Sequence, residues 1–103
     1  MQLPHVPNYA TNNGHIFYLV CRSLAERTAI LAHTKAQGAN PVFHYLSLHA
    51  SPFYAAKHDG RQLPWSDHYS DCLIRLPLYY ELSAEQQAYV IQLILDFYCQ
   101  PGV

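Results

Sequence analysis

Hydrophobic positions cluster most densely at residues 15–22, His-Ile-Phe-Tyr-Leu-Val-Cys-Arg, where β-branched and aromatic side chains predict a strand. Ile16, Tyr18 and Val20 fall on one face and Phe17, Leu19 and Cys21 on the other, so both faces need cover. Upstream, residues 3–13 carry Pro4, Pro7, Asn8, Asn12 and Asn13 without a helical period, and read as an extended arm. Ser23 followed by Glu26 has the capping-box spacing, with hydroxyl and carboxylate placed to satisfy free backbone N–H groups. A helix to about Gln37 follows, with Leu24, Thr28 and Leu31 on one stripe and Gly38 where a left-handed cap is needed. Residues 41–45 then predict a second strand, with Pro41 at its first position, where no ladder donor is lost.

The second half alternates less cleanly. Residues 49–65 form a long loop, punctuated by Pro52, Gly60 and Pro64, with a turn of helix near residues 53–57. Ser66 is placed to cap a short helix through Arg75, on the spacing of Tyr69, Cys72, Leu73 and Leu76. Pro77 ends it and leaves residues 78–80 as a short extended piece. Ser83 and Gln86 repeat the capping box, and Val90, Leu93, Ile94, Phe97 and Tyr98 trace the apolar face of a final helix. Ile91 and Leu95 widen that stripe beyond one packing surface, which predicts a second contact. The order of elements predicts an α+β domain spanning 1–103. Its small, mainly antiparallel sheet has about three strands, with the Ser23 and Ser83 helices packed on one side.

Composition narrows the classes. Of 103 residues, 50% are hydrophobic and 13% charged, so the chain is neither disordered nor a polyelectrolyte. A formal charge of -1 without like-charge runs argues against binding nucleic acid through phosphate neutralisation. No apolar run reaches the about 18 residues of a membrane span, and the first residues lack the pattern of a signal peptide, so a cytoplasmic location is expected. Cys21, Cys72 and Cys99 form no C-x-x-C pair and predict no disulfide framework.

The histidines and tyrosines, seven and nine in number, carry the candidate chemistry. His44 and His49 flank the end of the second strand, where strand termini and following loops commonly build sites. The same pattern also suits a core histidine bonded to backbone and a surface one. His44, His49, His58 and His68, with Asp59, Asp67 and Asp71, match no metal-ligand spacing, and no metal is expected. No G-x-S-x-G turn is present to present a nucleophile, and the isolated glycines build no phosphate loop. Lys35 and Lys57, the only lysines, read as solvated.

Four motifs in order, NNGHIFYLV at 12–20, VFHYLSLH at 42–49, SPFY at 51–54 and RLPLYYELSAEQQAYVI at 75–91, resemble the C-terminal small domain of the DegT/StrS family of sugar-nucleotide aminotransferases. Within it the chain is most similar to the group acting on dTDP-4-oxo-6-deoxy-D-glucose, which makes 4-amino-4,6-dideoxyhexose nucleotides for surface polysaccharides. The resemblance implies a pyridoxal-phosphate enzyme whose cofactor lysine, pyridine-pairing acid and phosphate-binding groups belong to a large domain. That domain is absent from this chain. It implies His44 as an auxiliary catalytic residue near cofactor and substrate, and Tyr45 and His49 as sugar-nucleotide contacts. His15 matches the histidine opening the family's first small-domain strand. Ser47 departs from the family's usual proline between Leu46 and Leu48. The implied partners are the large domain, a homodimer mate and the sugar nucleotide, with an amino acid such as glutamate as donor. Met1 falls within a stretch that continues upstream in family members. Alone, the chain is expected to bind no cofactor and to be silent. The alternative is a stand-alone interaction module that keeps the fold.

Overall fold

A computed structural model describes residues 1–100. Its elements are β1 (Tyr18–Val20), α1 (Leu24–Ala36), β2 (Val42–Phe43), α2 (Pro64–Cys72), β3 (Leu73–Arg75) and α3 (Ala84–Cys99), with 3₁₀ turns at Leu48–Ala50 and Ala55–Lys57. The three strands form one antiparallel sheet in the order β1-β3-β2. This is the expected α+β architecture, but its centre is not where the sequence places it. Residues 73–75, read as the end of the Ser66 helix, are the middle strand, and residues 78–80 pair with nothing. The helical spacing of Tyr69, Cys72, Leu73 and Leu76 is outweighed by the ladder. Leu73 and Ile74 are buried, and Ile74 and Arg75 pair with strands on both sides, which rewards an extended Leu-Ile-Arg run. The helix before it begins at Pro64, a favoured first position, rather than at a Ser66 cap.

β1 is shorter than the run that predicts it because β3 offers only three partners. Hydrogen bonds continue past both ends, from Leu76 N–H to the Phe17 carbonyl at 2.9 Å and from Cys21 N–H to the Cys72 carbonyl at 2.8 Å. The other edge of β1 exchanges two bonds with Gln2 at 2.7 and 3.0 Å, so the arm covers it. β2 likewise shortens to two residues, both exposed.

Leu19 and Ile74 lie opposite each other and enter one cluster with Ile30 of α1 and Ile94 and Phe97 of α3. Ile30 and Ile74 are wholly enclosed. The buried line of α1 is Ile30 and Thr34, with Leu31 partly covered, whereas Leu24 and Thr28 are exposed. Arg27 extends this line, and its guanidinium reaches the Ser70 carbonyl at 2.7 Å. The end of α1 is a Schellman motif: Gly38 at φ 84 donates to Lys35, and Ala39 donates to Thr34. α3 carries the full Ser83–Gln86 capping box, and its buried residues are Val90, Leu93, Ile94 and Phe97. Ile91 and Leu95 remain about half exposed.

The two long helices are also joined by polar contacts. Ser23 Oγ accepts from Glu26 N–H, but the Glu26 carboxylate takes the N–H of Arg22, one residue before the cap, and the Arg22 guanidinium. The Tyr98 hydroxyl of α3 donates to the same carboxylate at 3.0 Å. Burial raises the Glu26 carboxyl, but the hydrogen bonds from Arg22 and Tyr98 outweigh it and hold the group below its ordinary 4.5. Burial and the Glu26 bond push the Tyr98 phenol well up.

Two outcomes follow. Ile74→Ala, which opens a cavity at the centre of the sheet, is expected to cost about 2–5 kcal/mol in urea unfolding; a loss under about 1 kcal/mol contradicts the central placement. A carboxyl lowered in the folded state favours folding above its unfolded value and loses that contribution as pH falls through 4.5 and below. Unfolding between pH 7 and 3 should therefore show Glu26→Gln less stable than wild type at pH 7, with the two converging at acid pH. Parallel curves would contradict the assignment.

Candidate functional site

Past Phe43 the chain leaves the sheet and runs over α2. Ser47 fixes this passage: it is 8% exposed, its N–H donates to Ser70 Oγ at 3.3 Å, and its hydroxyl donates to the Ser66 carbonyl at 3.1 Å. Ser66 Oγ donates back to Ser47 Oγ. The Ser47 backbone, φ -59 and ψ 131, is one that proline also adopts. Serine here keeps the extended geometry and holds it through hydrogen bonds instead of a ring. The loop is anchored where a missing proline suggests looseness.

Along this anchored segment His44 is half-buried, and its Nδ1 is enclosed without a hydrogen-bond partner. Its ring leans on Tyr45 at 4.6 Å, and Tyr45 is 74% exposed. His49 sits at the 3₁₀ turn with its side chain 17% exposed and Nε2 2.9 Å from Asp67 Oδ1 on α2. The His58 ring lies 5.1 Å away, fixed by the Arg61 carbonyl at 2.9 Å from Nε2. His49, His58, Tyr54, Lys57 and Ser66 line a cavity of about 320 Å³. The arrangement can orient and exchange a proton and offers hydrogen bonds to a polar ligand.

His15 stands elsewhere. It is exposed at the end of the arm, after a turn in which Gly14 adopts φ 65, and it lines a cavity of about 360 Å³ with Asn40, Val42 and Arg75. The two cavities share no residue, and His44 and Tyr45 line neither. The structure thus brings His49 to Asp67 and His58, keeps His44 with Tyr45, and gives His15 a separate surface. Arg75 carries no signal in the sequence, because it reads as the end of a helix. Asp67 appears there only among scattered carboxylates; its tie to His49 needs the tertiary fold. Among the described residues no group of three or more metal-ligating side chains gathers, and no helix is long and apolar enough to cross a membrane.

The three-stranded antiparallel sheet and its helices define a small α+β domain. The model of the DegT/DnrJ/EryC1/StrS aminotransferase family matches residues 1–95, and the chain belongs to that family. It is 32% identical over 94 residues to a pleiotropic regulatory protein of Geobacillus stearothermophilus, covering 89% of this chain and 25% of that one. S. venezuelae DesV, solved in complex with a ketimine intermediate, matches with a TM-score of 0.84 at 24% identity, over 95% of this chain and 26% of its own. A DegT DnrJ EryC1 StrS aminotransferase from Brucella abortus matches with a TM-score of 0.79 at 24% identity, over 96% and 26%. The two solved structures share the fold. The chain spans about a quarter of the length of these relatives.

The described residues do not form a pyridoxal-phosphate site by themselves. A cofactor lysine needs an enclosed amine and an acid for the pyridine nitrogen. Lys35 is exposed on α1, and the exposed Lys57 holds its ammonium 3.9 Å from the centre of the Phe53 ring. For the anchored loop, Ser47→Ala is expected to cost about 1 kcal/mol in urea unfolding, since it removes one partly buried hydroxyl and its bonds. Unchanged stability would mean that the loop is not held through Ser47.

Proposed function

We propose that this chain is the C-terminal small domain of a pyridoxal-phosphate aminotransferase that transfers an amino group to a sugar nucleotide. The observation that supports this best is the family match across residues 1–95. The whole domain, from arm to last helix, corresponds to about a quarter of an aminotransferase chain. In this reading the remaining three quarters hold the cofactor, and the small domain closes over it. His44 is the auxiliary catalytic residue: it is half-buried beside the exposed Tyr45, and its enclosed Nδ1 has no hydrogen-bond partner within the domain. Tyr45, exposed beside it, and His49, oriented by Asp67, contact the sugar nucleotide. His15 contributes from its own cavity. The finer assignment is a 4-keto-6-deoxyhexose nucleotide of the dTDP-4-oxo-6-deoxy-D-glucose type, with glutamate as donor. The enzyme then acts as a homodimer in the cytoplasm, in surface-polysaccharide synthesis. The chain alone is inactive in this reading.

The second reading, a stand-alone interaction module, draws on the exposed Phe17, Tyr80, Ile91 and Leu95, and on the name of the regulatory relative. One experiment separates the two. An antibody to this domain, applied to native cells, should detect a polypeptide about four times the mass of this chain. That protein should transfer nitrogen from glutamate to dTDP-4-keto-6-deoxyglucose, and His44→Ala in it should lower kcat by roughly 10²-fold or more. A native polypeptide the size of this chain, without transaminase activity, favours the module. Undiminished kcat in His44→Ala removes the role given to His44.

A further inference from the structure

The register that pairs Leu19 with Ile74 and Val20 with Leu73 continues one step beyond the strands. There Cys21 faces Cys72, joined by the 2.8 Å bond from the Cys21 N–H to the Cys72 carbonyl. The bond joins the backbones of the two residues directly, and a disulfide spans Cα separations of about 4.4–6.8 Å. Both side chains enter the same core cluster, 2% and 4% exposed. Neither has a part in the proposed site. Cys99, the remaining thiol, is exposed at the end of α3 and lies outside this cluster.

We propose that Cys21 and Cys72 form an oxidisable pair that closes into an intramolecular disulfide, with a hydroperoxide as oxidant. In the first step one sulfur, as thiolate, attacks a peroxide oxygen. The O–O bond breaks, hydroxide leaves and a sulfenic acid forms. The second sulfur then attacks the first, the S–O bond breaks and water leaves. With hydrogen peroxide the two thiols lose two protons and two electrons, and the peroxide becomes two waters. Burial pushes the Cys21 thiol up to about 11, helped by the Glu26 carboxylate and Cys72 and opposed by the N-terminus and Arg27. Burial also raises Cys72, with Asp71 adding to it. The pair therefore rests as thiols and reacts when this end of the ladder opens, next to the exposed Arg22, Ser23 and Asp71.

Closing the bond has a structural consequence. Cys72 is the last residue of α2, the helix that supplies Asp67 to His49 and Ser66 and Ser70 to the loop. A disulfide ties that helix end covalently to β1.

The test uses the 103-residue chain carrying Cys99→Ser, which removes the exposed competing thiol, and the unsubstituted chain beside it. After hydrogen peroxide, intact mass should fall by two hydrogen atoms. Trypsin should release residues 1–22 joined to residues 62–75, and dithiothreitol should separate them. The oxidised chain should unfold at higher urea than the reduced one, and Cys21→Ser should give no joined peptide. Should Cys99→Ser fail to fold, the joined peptide in the unsubstituted chain decides the matter. Both thiols remaining open to alkylation, or oxygen gained on a single cysteine without the joined peptide, overturns the proposal.

Discussion

The three-residue pairing of Leu73–Arg75 with its two neighbours is the constraint on which the rest of this domain depends. Side chains alternate along a strand with period two, so a one-residue slip of β3 would turn Ile74 out of the core and put Leu73 or Arg75 in its place. Ile74 is the residue around which Leu19, Ile30, Ile94 and Phe97 gather, and no second strand pair could replace that centre. Because β3 follows α2 without a break, the register also sets where α2 ends. The same pairing therefore determines where Asp67, Ser66 and Ser70 stand relative to the loop that carries His44 and His49. Core and candidate site share one geometric origin.

How much of this can be read from sequence depends on how local each cause is. The Ser83–Gln86 box, the Ser23 cap and the Gly38 turn are decided within a few residues, and the sequence announces each of them. Residues 73–75 are different: their apolar spacing continues the helix before them, and only neighbours distant in the chain make extension favourable. Arg27 is a similar case, since a charged residue on the buried line of α1 makes sense only once the Ser70 carbonyl and the Phe43 ring lie within its reach. At the site, His49 stands out by its place after a strand. Its partner Asp67 lies beyond a long loop and has no local mark.

Apolar surface is the other feature that composition announces and folding leaves in place. A chain that is half hydrophobic has more apolar side chains than a sheet of three short strands and three helices can enclose. Exposed apolar side chains run from the arm to α3. Ile91 and Leu95 lie on the outer side of α3, and Phe17, Leu78, Leu82 and Ile91 line an apolar cavity of about 160 Å³. The sequence predicts a second contact for α3, and within the domain Ile91 and Leu95 stay about half exposed. In the proposed enzyme, this is surface for another domain to cover.

Helix α2 joins these themes, because a nine-residue helix with no side-chain cap owes little of its stability to itself. It is held at its last residue by the backbone bond between Cys21 and Cys72, near its end by Arg27 on the Ser70 carbonyl, and along one side by Ser47. Each of these ties comes from a different part of the chain. The side chain that orients His49 is thus placed by the sheet, by α1 and by the loop together. A disturbance at any of the three reaches the imidazole through the movement of one short helix. A proline at position 47 would supply rigidity to the loop alone. Serine couples the loop to α2, so the residue that departs from the family pattern also links the position of His44 to that of Asp67.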